Sequence, residues 1–160
     1  MEPNKRAKGK LYISVSKARF SMAHLSRIWE KFNYRTQMMK GLFAYESAFR
    51  NYTRACIRDF VEDNIQYAEI RPNFMSTNSV KTDDGTASFG NAEIMKIISE
   101  ELQSTMAEMS NDGVYFGGMK VIYCTPRSFK KEQIESALNE CIDLKNQFGD
   151  LVCGMCFFSM

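Results

Sequence analysis

Between Ile28 and Phe74 a long helical run passes through Glu62-Asp63-Asn64 into a short strand that stops at Pro72. That hand-over from helix to strand constrains the fold more than any other stretch, because the chain repeats it. From Met22 to about Met39 the apolar residues Leu25, Ile28, Trp29, Phe32 and Met39 keep the spacing of one helix face. Gly41 breaks that helix, and Ser47 is the expected N-cap of the next. There Phe49, Tyr52, Cys56 and Phe60 recur at steps of three and four, with Ile57 and Val61 beside them, a stripe wide enough to pack on a sheet.

The strand Ile65–Arg71 follows. Alternation puts Tyr67, Glu69 and Arg71 on one face and Ala68 and Ile70 on the other. Pro72, which has no ladder donor, ends it. Residues 73 to 90 make a loop of the length that is usually functional or mobile. Asn91 is the expected N-cap of a helix to about Met109, carried by Ile94, Ile97, Ile98, Leu102 and Met106. Gly117-Gly118 opens a second strand, Met119–Cys124, closed by Thr125-Pro126-Arg127. Ser128 is the expected cap of a helix that turns Ile134, Leu138, Cys141, Ile142 and Leu144 inward as far as Phe148, and Gly149-Asp150 leads to a third strand, Leu151–Gly154. Helix-strand units in succession belong to a parallel sheet with right-handed crossovers, so the fold class is α/β.

With 160 residues the chain has room for one domain and a sizeable core, and 44% apolar with 25% charged residues fits a folded protein. The expected division is a polar lead-in over residues 1–20, poorly ordered, and the α/β domain over residues 21–160. A net charge of +2 gives no reason to expect nucleic acid or an anionic membrane as partner. The basic run Lys5-Arg6-Ala7-Lys8-Gly9-Lys10 reads as a solvated tail, since no aromatic stacking platform accompanies it. No apolar run approaches the roughly 20 residues that span a bilayer, and the polar first residues do not form a signal peptide. As written, the chain is therefore expected in the cytoplasm or at an unassigned location.

Of the five cysteines, Cys153 and Cys156 have the spacing of a redox or metal pair. No second such motif or nearby His completes a zinc site, so the cysteines read as free thiols, buried or half-buried. His24, the one histidine, falls on the polar side of the first helix and reads as a surface residue. The sequon Asn51-Tyr52-Thr53 lies within a helix and is expected to stay bare.

In parallel α/β folds chemistry gathers at the carboxyl ends of the strands. Those ends are Glu69-Ile70-Arg71-Pro72, Tyr123-Cys124-Thr125-Pro126-Arg127 and the residues after Gly154. Glu69 and Arg71, two apart on one face, either bind a polar substrate or pair with each other. Arg127 either holds an anionic or ribose group or caps strand-end carbonyls. Trp29 and Phe32 are either core or a surface for a ligand. No phosphate loop, nucleophile elbow, His-Glu-x-x-His or Ser/His/Asp set is present.

Six pieces stand in a particular order and spacing: Trp29-x-x-Phe32, Gly41-Leu42, Phe49-Arg50-x-Tyr52, Asp63-Asn64-x-x-Tyr67-x-Glu69-x-Arg71, Lys120-Val121-Ile122-Tyr123 with Arg127 after it, and Leu144-Lys145-x-x-Phe148 leading to Val152-x-Gly154. Together they resemble a segment of the adenosine-deaminase-related growth factor family, the extracellular type of adenosine deaminase. The resemblance implies a (β/α)8 TIM barrel of the metal-dependent hydrolase type, of which this chain holds about three parallel strands with their helices. It also implies hydrolysis of adenosine or 2′-deoxyadenosine to inosine or deoxyinosine plus ammonia. In such enzymes a Zn2+ held by histidines and an aspartate activates water, while a glutamate moves protons. Relatives of this kind are typically secreted and often homodimers.

Carried onto this sequence, only the Trp29 region falls in the stretch that lines the family's nucleoside pocket. With Glu69 and Arg71 from the strand-end reading, the candidate contacts to an adenosine-type nucleoside are Trp29, Phe32, Glu69 and Arg71. The family's His-x-His, its further metal ligands and its catalytic Glu have no counterpart among these residues. No catalytic or metal-ligating residue is therefore assigned, no zinc is expected on this chain, and the fragment is expected to be inactive alone. The alternative is a non-catalytic module that binds a nucleoside or a protein through the same surface. After Gly154 the family's Gly-Phe-Asp-Leu gives way to Gly154-Met155-Cys156-Phe157, and the last residues are expected to be translated intron.

Overall fold

A computed structural model of the chain describes residues 22–38, 40–72, 74 and 79–158. The lead-in over residues 1–20 lies outside the described residues, and so does the side chain of His24. The chain forms two compact units, Met1–Arg35 and Thr36–Met160. All but the last turn of helix α1 (Met22–Met38) belongs to the first, matching the helix expected from the periodicity.

The second unit runs α2 (Glu46–Glu62), β1 (Ala68–Ile70), α3 (Asn91–Asn111), β2 (Met119–Pro126), α4 (Lys131–Phe148) and β3 (Val152–Phe158). Its three strands lie in the order β1-β2-β3 and are parallel throughout, an arc of a (β/α)8 barrel. Ala68 pairs with Met119 and Ile70 with Val121; further along, Cys124 pairs with Cys156 and Pro126 with Phe158. Between Val121 and Ile122 the β2–β3 register slips by one, and Cys153 is the extra residue of the bulge.

The core lies on the helix side of this sheet. Ala68, Met119, Val121, Tyr123 and Val152 from the strands meet Ile57 of α2, Ile94, Met95, Ile98 and Leu102 of α3, and Ala137, Cys141 and Leu144 of α4. The pairing of α2 with α3 is also tied by charge. Glu101, only 5% exposed, accepts from Arg54 Nε at 3.0 Å and Nη2 at 2.7 Å and from Arg50 Nη1 at 3.3 Å. Burying a carboxylate without such partners would be costly.

Helix starts differ from the sequence expectation in an instructive way. Ser47 is not the cap of α2: the N-cap is Tyr45, which supplies no side-chain bond. The orphan amide of Ser47 is satisfied instead by Asp83 Oδ1 at 2.9 Å, and the Ser47 hydroxyl donates to Asp83 Oδ2. A loop carboxylate thus replaces a local cap, on the helix end that favours negative charge. Gly90, not Asn91, precedes α3, and its N–H donates to Glu93 Oε2 at 2.9 Å. Lys130, not Ser128, precedes α4, and its N–H donates to Gln133 Oε1 at 3.0 Å. At the far end of α2, Asn64 takes φ 61° and Ile65 N–H reaches back to Phe60 O at 2.8 Å, the left-handed stop for which Asn is suited.

Strand limits shift as well. The first strand is trimmed from Ile65–Arg71 to Ala68–Ile70, because its ladder partner begins only at Met119. The second extends two residues further, through Thr125 and Pro126. The third begins one residue later than expected, after a 3-10 turn at Gly149–Leu151, and continues to Phe158. Just before β2, Gly117 donates to Gln66 O at 2.7 Å, and a Cβ there would stand 2.8 Å from that same oxygen. Only glycine tolerates so close a backbone approach. Gly118, at φ 113°, completes the turn.

Candidate functional site

The sheet has a second face, turned away from the helices and their core. Strand alternation places Tyr67, Glu69 and Arg71 there from β1 and its flanks, Lys120, Ile122 and Cys124 from β2, and Gly154 and Cys156 from β3. Tyr67, Glu69 and Arg71 are exposed while Ala68 between them is buried, so the alternation expected for the first strand holds.

Of the two alternatives for Glu69 and Arg71, mutual pairing does not occur: among the described residues no ion pair joins them, and Glu69 Oε1 accepts from the Tyr67 hydroxyl at 3.2 Å. Desolvation, and then that hydrogen bond, raises the Tyr67 hydroxyl above its ordinary pKa. Arg71 also borders a largely apolar cleft of about 250 Å3 between α2 and β1, with Phe49, Tyr52, Cys56 and Ile70. Arg127 follows the capping alternative, its Nε donating to Phe157 O at 3.4 Å. In the first unit, Trp29 and Phe32 lie one turn apart on α1 with ring centroids 5.4 Å apart and planes 21° from parallel. Trp29 is 44% exposed and Phe32 55%.

Sequence reasoning missed the sulfur chemistry at the strand ends. The Cys153-x-x-Cys156 spacing does not describe a working pair. Cys153 is the bulge residue, its Sγ directed to Val121 O at 3.5 Å. The partner of Cys156 is Cys124, with the two Sγ atoms 2.8 Å apart. All five cysteines are free thiols, with Cys124 and Cys141 buried, Cys56 and Cys156 half-buried, and Cys153 exposed. Burial, then the hydrogen bond shared with Cys156, pushes the Cys124 thiol up to about 12, against the opposing pull of the Arg71 charge.

A second polar cluster, on the helix side, was also missed. Glu140 Oε2 accepts from the Tyr123 hydroxyl at 2.5 Å and Oε1 from Asn91 Nδ2 at 2.8 Å; Asn91 also donates to Phe74 O. Burial and the Glu140 contact raise the Tyr123 hydroxyl well above its usual range. Phe74 stacks on Tyr123 with centroids 4.8 Å apart, and a cleft of about 430 Å3 opens beside them toward Glu132 and Gln133. This cluster is what engages Asn91, the residue expected to cap α3.

Among the described residues no group of three or more His, Cys, Asp or Glu is placed to hold a metal ion, and Cys124 with Cys156 makes only two donors. No helix of the described residues is long and apolar enough to cross a membrane.

Comparison with known proteins supplies the family context for this arrangement. No family model matches the chain. Adenosine deaminase 2-A of Danio rerio is 26% identical over 130 residues, which cover 81% of this chain and 24% of that protein. Adenosine deaminase 2 of Homo sapiens is 24% identical over 127 residues, 79% of this chain and 23% of that protein. An adenosine deaminase of Aedes albopictus is 24% identical over 130 residues. The chain is thus adenosine-deaminase-like along most of its length, and it spans about a quarter of the length of the curated relatives it matches.

Proposed function

From this kinship with the adenosine deaminases, we propose that the chain is an arc of a nucleoside-handling barrel whose polar strand-end residues contact an adenosine-type ligand, and that these 160 residues do not deaminate it on their own. The observation that carries the reading is the coincidence of that similarity with three parallel strands whose Glu69 and Arg71 are exposed and unpaired with each other. Glu69 accepts hydrogen bonds from ribose hydroxyls or the purine amine. Arg71 donates to oxygen or ring-nitrogen acceptors. Trp29 and Phe32, with their rings stacked and exposed, offer a flat surface for a purine base.

Hydrolytic deamination of a purine needs a metal-activated water. The zinc of such enzymes sits on several histidines, whereas this sequence has one, and its described residues gather no ligand set. The chemistry therefore needs residues other than these. The exposure of Glu69, Arg71, Trp29 and Phe32 also suits a module that binds nucleoside without reacting.

Incubating the purified chain with Zn2+ and adenosine and following the fall in adenosine absorbance tests the absence of deamination. No turnover is expected, and turnover abolished by a chelator would overturn it. Titrating adenosine against the fluorescence of Trp29, the one tryptophan, tests the contact with nucleoside. A saturable change is expected; a flat titration removes the nucleoside from the reading.

A further inference from the structure

Cys124 and Cys156 occupy directly paired positions on neighbouring parallel strands, on the face turned away from the helices. Strand pairing sets their backbones about 4.8 Å apart, within the span that a disulfide bridges without moving the chain. Their sulfurs are 2.8 Å apart, closer than any hydrogen-bonded thiol pair needs to be. The two differ in access: Cys124 is 5% exposed, whereas Cys156 is half-buried. We infer that Cys124 and Cys156 form a cross-strand dithiol site that a small disulfide oxidant converts to an intramolecular disulfide, tying the end of β2 to β3. Neither cysteine is among the residues proposed to contact a nucleoside, so the site stands apart from the deaminase reading.

The exchange proceeds in two displacements. The Cys156 thiolate, the more accessible, attacks one sulfur of the oxidant RSSR. The S–S bond of the oxidant breaks, one RS− leaves and is protonated, and a mixed disulfide remains on Cys156. Cys124 then gives its proton to solvent, and its thiolate attacks the Cys156 sulfur. The second RS− leaves and is protonated in turn. The protein loses two electrons and two protons, and the oxidant carries both away as two RSH. Burial disfavours the Cys124 thiolate, so the second displacement is slower than it would be from an exposed thiol.

The test is to titrate the whole folded chain with oxidised glutathione, quench with acid, alkylate the remaining thiols and map the peptides by mass spectrometry. Trypsin separates the two cysteines by cutting after Arg127 and Lys145. The free-thiol count is expected to fall from five to three, with the peptide carrying Cys124 joined to the one carrying Cys156. Cys153→Ser should retain this link, and Cys156→Ser should instead retain glutathione poorly and form no link to Cys124. The same titration in urea should scatter the pairing, which shows that the fold selects it. A native chain that keeps all its thiols, a dominant link involving Cys56, Cys141 or Cys153, or pairing no more selective than in urea each overturns the proposal.

Discussion

The two faces of the three-stranded sheet are built by alternate residues of the same strands, yet they differ in almost every physical property. Toward the helices stand Ala68, Met119, Val121, Tyr123 and Val152, none more than 9% exposed, in one continuous core. Toward the other side stand Tyr67, Glu69, Arg71, Lys120, Cys124 and Cys156, which are polar, titratable or reactive. Apolar burial at about 25 cal/mol per Å2 stabilises the first face. The second makes few bonds within the sheet beyond the Tyr67–Glu69 and Cys124–Cys156 contacts. Stability and chemistry are therefore separable by residue parity, and substitutions one position apart should act on different properties.

The largest effect belongs to the packed face. Ile98→Ala, at a position 1% exposed, should cost about 2–5 kcal/mol, read as a lowered urea midpoint. Glu101→Gln should cost about 2 kcal/mol by loosening its bonds to part-exposed Arg50 and Arg54, and raised salt should lessen the difference. On the opposite face, Glu69→Gln should leave the urea midpoint within about 0.5 kcal/mol of the parent. It should, however, weaken adenosine binding, followed by titration calorimetry, about tenfold, or about 1.4 kcal/mol. If Glu69→Gln destabilised the chain as strongly as Ile98→Ala, the separation of the faces would be wrong. Gly117→Ala should cost about 1 kcal/mol or more, since its methyl meets the Gln66 carbonyl.

The smallest effect is on pH dependence and concerns Asp83. Ser47 holds its carboxyl below the ordinary carboxylate range by a side-chain and a backbone hydrogen bond. Its contribution is thus fully present above the unfolded value of about 3.9 and is lost as pH falls through the lower folded value. Thermal midpoints taken from about pH 5 down to about pH 3 should fall less steeply in Asp83→Asn than in the parent.

How much of this was legible in the sequence follows from how local each signal is. Three helix-strand units and the face parity of Tyr67, Glu69 and Arg71 rest on periodicity within one element, and the structure keeps them. Helix caps failed where the partner is distant or reciprocal. Asp83 serves α2 from 36 residues away. Glu93 and Gln133 serve from inside their own helices, and each stands three residues after the true cap, a spacing that does mark a capping position. The Cys124–Cys156 pair was not legible at all, because a bulge shifts which residues face each other and no periodicity announces one.

That bulge carries a consequence for descent. Extending the Val121–Val152 pairing without it would set Cys124 opposite Met155 and leave Cys156 one place beyond. The sulfur contact therefore depends on a count of residues as much as on the cysteines themselves. Deleting Cys153 itself would keep the two thiols opposed in a regular ladder, whereas inserting one codon beside it without a second bulge would part them while leaving both in the sequence. Two chains with identical cysteines could then differ entirely in their response to an oxidising environment.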